Sequence, residues 1–402
     1  MPIGLVFLLM LAVGCDSTEY VNVIDSVLAP VDQVNFQNIP FSSISDSTWS
    51  VSPERGKTAQ NFVGKFDIYE SAMLIKFHGN SILPDTATIS EIYLEMAVSN
   101  TIGDSLIAAI GISMRKNTLA WTEDNISELN FDDINTSGEL YDSTSAAWRT
   151  ADSSTQLLSF KVSKPVYQGW LDGSDTNGVL IVGDDTGGFI ISSNSRTSGR
   201  LFPFLPVLRI NFIEEGDSIL TTNRFSATAD GYVMNILEDL TVTDTDRVYI
   251  GGGAAFRGII RFDPILLDQI QSNFLISKAE IKLTIDYDKS ILPTLNSAVS
   301  GILFNLRYSI IDSIGPKGLP VKISSGDSLS MSAPLTGATL TLNVTLFMQQ
   351  WVTDGIENLG IQIWSSGEHS QIFRISLISG DSMDSDALKP KIDIFYIEPP
   401  DF

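Results

Sequence analysis

The sequence predicts an all-β protein of two tandem antiparallel β-sandwiches, each carrying one short helix. Three observations predict it. Apolar and polar residues alternate over many short segments, as half-buried antiparallel strands require. One stretch occurs twice, at residues 158–173 and 340–355, and its Trp170 and Trp351 lie 181 positions apart, a spacing for two complete domains rather than a solenoid. No long helical pattern interrupts the 402 residues, whose length and 43% hydrophobic content suffice for two or three cored domains.

The chain opens on an apolar run, Ile3 to Gly14, too short to span a bilayer. Residues 1–14 therefore read as a signal peptide. The run ends in Leu11-Ala-Val-Gly-Cys15, which resembles the bacterial lipobox, where the cysteine is lipidated and becomes the mature N-terminus. Cys15 is the sole cysteine, so an exported chain has no disulfide to form and acylation gives the thiol its purpose. The expected address is outside the cytoplasm, lipid-anchored to a bacterial membrane, at the outer membrane or cell surface. Residues 15–41 contain no Lys or Arg and read as a tether or an edge strand.

Dense strand signals follow: Ala72 to Phe77, then Ile92, Leu94 and Met96 alternating with Tyr93 and Glu95, then Ile107 to Met114. In the repeated stretch Leu158, Phe160 and Val162 form one apolar face, as do Leu340, Leu342 and Val344. A short helix comes next in each copy. Ser163 or Thr345 can cap it, Pro165 suits its first turn, and Gly173 or Gly355 can end it in the left-handed conformation. Val166 and Trp170, like Phe347 and Trp351, are four apart and share a face, which turns the tryptophans inward. Strands then follow at Val179 and Ile361. Closing strands begin at Pro206 and Pro390, where proline is tolerated. Between the copies, Glu214-Glu-Gly-Asp217 has linker composition. The expected domains are 42–213 and 217–397.

Further segments repeat in order: Leu74-Ile-Lys-Phe77 with Ile259-Ile-Arg-Phe262, and residues 90–96 with 277–283. Together with Trp121-Thr-Glu123, the Gln-Gly-Trp and Gln-Gln-Trp helices, the Asn177 and Asn358 turns and the proline-led closing strands, they resemble the DNRLRE-type domain, a family that includes the family 96 carbohydrate-binding modules. That resemblance implies jelly-roll-like sandwiches on a bacterial surface protein and a polysaccharide ligand.

Composition excludes several functions. A net charge of −23, from 25 basic and 48 acidic residues, is wrong for nucleic acid. Two histidines, in different copies, and one cysteine assigned to lipid leave no parts for a nucleophilic triad. Carboxylates such as Glu123, Asp124, Asp132 and Asp133 could pair as in a glycosidase, but an acidic chain always offers such pairs. The protein is therefore read as non-enzymatic. Carbohydrate stacking points to Trp49, Trp121 and Trp148, which lie in polar, loop-like contexts. Hard oxygen ligands for calcium are offered by Asp172, Asp175 and Asn177, with Asp354, Glu357 and Asn358 at the matching place. The expected role is a non-catalytic surface lipoprotein that binds extracellular polysaccharide. The alternative is a structural or adhesive protein whose sandwiches are spacers or bind a surface protein.

Overall fold

The computed structural model describes residues 36–397 apart from 51–54, 57, 78–82, 84–85, 135, 150–154, 185–186, 201–203, 254, 263–269, 271–273, 293–303, 309–327, 331–338, 354–359, 366–367 and 369–370. The expected all-β class is what it shows. The described chain begins with β1 (Phe36–Ser50). A first series follows: β2 (Gln60–Phe66), β3 (Tyr69–Lys76), β4 (Thr88–Gly103), β5 (Ala109–Lys116), β6 (Leu140–Ala147), β7 (Gln156–Lys161), β8 (Val179–Gly183), β9 (Phe189–Asn194) and β10 (Val207–Ile213). After β11 (Leu220–Ser226) and β12 (Ala229–Ile236) comes a second series: β13 (Arg247–Gly252), β14 (Phe256–Phe262), β15 (Leu275–Ile291), β16 (Phe304–Tyr308), β17 (Ser328–Ser330), β18 (Thr339–Asn343), β19 (Ile361–Ser365), β20 (Phe373–Ile378) and β21 (Lys391–Ile397).

These strands form two antiparallel sheets. The first has the order β11-β10-β4-β9-β2-β3-β8-β5-β6, with β7 on β4 and β12 on β3. The second runs β13-β20-β15-β21-β1-β14-β19-β16-β17, with β18 on β15. In each, one long strand turns the sheet. β4 pairs with β10, then β7, then β9 along its length, with a register shift at Val98/Asn100. β15 does the same with β21, β18 and β20, shifting between Asp286 and Ile291. Such shifts bend a strand and increase its twist, so each sheet curls over its own core. Ile92, Leu94, Met96 and Val98 supply the β4 face of one core, and Ile281, Leu283 and Ile285 the β15 face of the other.

The repeated stretch folds as its pattern requires. Helices span Lys164–Asp172 and Thr345–Thr353, and Gly173 ends the first at φ 75°. Ser163 precedes that helix but makes no side-chain cap; its carbonyl accepts the Tyr167 amide at 3.1 Å instead. Trp170 and Trp351 are buried in the two cores, and Phe77 stacks on Trp170 at 5.7 Å. Gly178 and Gly360 open the next strands at φ 73° and 102°. A β-carbon there would meet the carbonyl oxygen of Ile75 at 2.1 Å and of Ile260 at 2.9 Å, so both positions need glycine.

The sheets divide the chain differently from the expected 42–213 and 217–397. Residues 36–42 of β1 pair with β21 and residues 43–50 with β14, which places the N-terminal strand in the second sheet. β11 and β12, beyond the expected linker, pair with β10 and β3 of the first. Glu214-Glu-Gly-Asp217 is a hairpin turn: the Asp217 amide donates to Glu214 O at 3.1 Å, Gly216 has φ 84°, and Asp217 Oδ1 accepts the Ser218 and Ile219 amides. Charge plus glycine describes a tight turn as well as a linker. Of the tether-or-strand segment 15–41, residues 36–41 are strand; the rest, with the signal peptide and Cys15, lies outside the described residues.

A third core joins the halves. It gathers Phe62, Tyr69, Ile102 and Ile190 of the first series, Tyr232 and Met234 of β12, and Tyr249, Phe256 and Ile372. Across this junction the Tyr69 hydroxyl donates to Phe373 O at 3.5 Å, and Arg374 pairs with Asp67 at 2.5 Å.

One defect within the first half is testable. Asn61 of β2 and its register partner Ser193 of β9 are both buried, yet the Asn61 amide atoms and Ser193 Oγ have no hydrogen-bond partner. The corresponding pair in the second sheet is apolar, Val248 with Leu377. Replacing Asn61 by the isosteric Leu should raise stability by about 1–3 kcal/mol, the cost of a buried unpaired amide. A lower denaturation midpoint for Asn61→Leu would refute this.

Candidate functional site

The first sheet carries a polar cleft of about 360 Å³ on the outer side of β2, β3, β8 and β5, within the range of small-molecule sites. Its floor is set by two glycines. A β-carbon on Gly183 would lie 2.8 Å from the Gly64 α-carbon, so only glycine lets β8 and β2 approach this closely. Lys65 of β2, Glu70 of β3, Arg115 of β5 and Asp184 after β8 bring two cations and two carboxylates to the walls. The segment between β5 and β6 arches over and adds Phe131, Thr136 and Ser137. Phe131 also packs on the small core of Trp121, Ile126, Leu180 and Val182, which fixes its ring.

The polar side chains are held by backbone. Asp184 Oδ2 accepts the Gly111 amide at 2.7 Å, while the Asp184 amide donates to Gly111 O at 2.9 Å. Arg115 Nη1 donates to Gly138 O at 2.9 Å, and its buried Nε has no partner. Glu70 Oε2 accepts Asn235 Nδ2 of β12 at 3.5 Å. The result is a preorganised set of donors and acceptors beside one aromatic edge. Hydroxyl-rich and carboxylate-bearing ligands match that chemistry.

Of the tryptophans expected to stack on sugar, Trp121 and Trp148 do not line this cleft. Trp121 is a core residue: it is 2% exposed, its Nε1 donates to Asn177 O at 3.0 Å, and Lys76 Nζ lies 4.8 Å above its ring. Its loop-like sequence context conceals a segment that folds back on the sheet, so Trp121 offers no sugar platform. Trp148 is half-buried, with its ring edge-on to Phe189 at 5.4 Å. The Trp49 side chain lies outside the described residues.

Three of the expected calcium ligands, Asp172, Asp175 and Asn177, make local hydrogen bonds. Asp172 Oδ1 accepts the Ser174 amide at 2.9 Å, and bonds from Ser174 hold its carboxyl below the usual range. Asp175 Oδ1 accepts the Asn177 amide at 3.3 Å, and Asn177 Nδ2 donates to Thr118 O at 3.1 Å. These hydrogen bonds build the turn after the first helix. Asp354, Glu357 and Asn358 lie outside the described residues. Among the described residues no group of three or more His, Cys, Asp or Glu side chains is arranged to hold a metal.

Sequence reasoning missed the cleft, because the β2-β3 hairpin with Lys65 and Glu70, Arg115 of β5 and Asp184 after β8 come from three separate stretches of the chain. It also missed a half-buried network. Arg196 binds Glu123 with both Nε, at 2.7 Å, and Nη2; the Asp230 amide donates to Glu123 Oε1 at 3.1 Å. The Asp230 carboxylate accepts Ser195 Oγ at 2.7 Å and the Arg196 amide at 2.8 Å. Glu123, one of the carboxylates considered for catalysis, is thus a clamp across the first half.

No family model matches the chain, and no curated protein matches it. Among the described residues no helix is long and apolar enough to cross a membrane.

Proposed function

We propose that this chain is a non-catalytic bacterial surface lipoprotein, built of two jelly-roll-like sandwich units of the DNRLRE type, that binds extracellular polysaccharide in the β2-β3-β8-β5 cleft. The observation carrying this reading is the cleft itself: Lys65, Arg115, Glu70 and Asp184 around a glycine floor, with Phe131 fixed at the edge. The lipobox-like Leu11–Cys15 supports the anchor, and the acidic, Lys- and Arg-free segment after it supports display away from the lipid. Membrane attachment is through that lipid, and nucleic acid is no partner for a chain of charge −23.

A soluble chain starting after Cys15, passed over a panel of neutral and acidic glycans with and without calcium, tests it. The wild type should be retained on one glycan class. The Lys65→Ala, Arg115→Ala double variant should weaken retention at least tenfold, since each charged hydrogen bond contributes about 1.5–3 kcal/mol. Absence of retention on the whole panel sinks the reading. It would leave the structural alternative, a spacer or adhesive protein, which the interlacing of the halves favours; co-purification of a surface protein would then identify the partner.

A further inference from the structure

We propose that the two halves are reciprocally strand-exchanged, the segment that precedes each series being built into the sheet of the other, so that the halves remain joined when the chain between them is cut. The registers carry this inference. Phe41 and Ser42 lie opposite Ile392 and Lys391, and Phe225 and Ser226 lie opposite Leu208 and Val207, at the starts of β21 and β10. Further along, Asp46 faces Ile260 of β14 and Asp230 faces Ile75 of β3. Both segments read Phe-Ser, three residues, Asp. Asp46 Oδ2 accepts the Gly380 amide at 2.5 Å just after β20; Asp230 accepts Ser195 and Arg196 just after β9. Equivalent segments thus do the same work at equivalent places, but each serves the half it does not immediately precede in the chain.

Two crossings make the exchange: residues 51–59 lead from β1 in the second sheet to β2 in the first, and residues 237–246 lead from β12 in the first to β13 in the second. Tyr232 and Met234 of β12 lie in the core shared by both halves. A cut between Gly216 and Asp217, in the exposed hairpin turn, would leave β1–β10 in one piece and β11–β21 in the other. Each piece would then hold a strand of its partner's sheet.

The test uses the full chain with a protease recognition sequence inserted between Gly216 and Asp217, in a Cys15→Ser background. After cleavage under native conditions the protein should elute at the volume of the uncut chain. Register partners place side chains within disulfide reach across a ladder. Ala229 lies opposite Lys76, whereas in an unexchanged arrangement it would take the place of Ser45, opposite Arg261. Oxidation of the Ala229→Cys, Lys76→Cys variant should therefore join the two cut pieces on a non-reducing denaturing gel. The Ala229→Cys, Arg261→Cys variant should not close. Glu70→Cys with Asn235→Cys, partners farther along the same ladder, repeats the readout should loss of Lys76 disturb folding. Pieces that elute separately, or closure of the 229–261 pair in place of 229–76, would overturn the proposal.

Discussion

A chain that begins at residue 51 should keep its first sheet and lose its second. Among the described residues β1 is the only partner β14 and β21 have on one of their sides, through residues 43–50 and 36–42 respectively. Its loss strips the ladder along fifteen residues and removes the Asp46 bond to Gly380. At about 1 kcal/mol per net hydrogen bond, that approaches the whole stability of a domain, about 5–15 kcal/mol. The first sheet keeps all its strands, because β11 and β12 come from the far side of the turn. Hydrogen exchange should therefore show amides of β14, β19 and β21 open and those of β3, β4 and β8 protected. The shared core would be exposed at Phe62 and Tyr69, so dye binding and association should rise as well. Protection lost in the first series and kept in the second would mean that β1 serves its own half.

Local patterning made much of this fold legible. Alternation placed β3, β4, β7 and β10, and the repeated Leu158 and Leu340 stretches placed both helices with their tryptophans inward, because an apolar face is a property of a few adjacent residues. Strand partnership is different. Nothing within Phe41–Asp46 or Phe225–Asp230 says which of two nearly equivalent ladders it will join, since both ladders present the same register. The site was hidden for a related reason. Lys65, Glu70, Arg115 and Asp184 converge only when β2, β3, β5 and β8 lie side by side. Trp121 misled by composition: Ser, Thr and Asp around it signal a loop, but that segment covers the outer face of Leu74 and Leu180 and needs a large apolar anchor.

Asp230 should make the protein more stable in mild acid than at neutral pH. Burial pushes its carboxyl up to about 6, against an ordinary value of 3.8, and the neighbouring Glu123 acts in the same direction. Bonds from Ser195 and the Arg196 amide pull the other way without cancelling the burial cost. The folded state therefore holds this proton more tightly than the unfolded chain. The stabilisation is complete below the unfolded value and is lost as pH rises through about 6. Roughly two pKa units correspond to about 3 kcal/mol between pH 4 and 7. Many other carboxylates titrate in this range, so the comparison has to be with Asp230→Asn, which keeps the shape and cannot ionise. Urea midpoints at pH 4.5, 6 and 7.5 should show the variant gaining on the wild type as pH increases. A wild type that gains on the variant as pH rises would mean that the Arg196 and Ser195 contacts outweigh burial. In that case the carboxylate stabilises the junction by its charge, and acid rather than base would loosen β12 from β3.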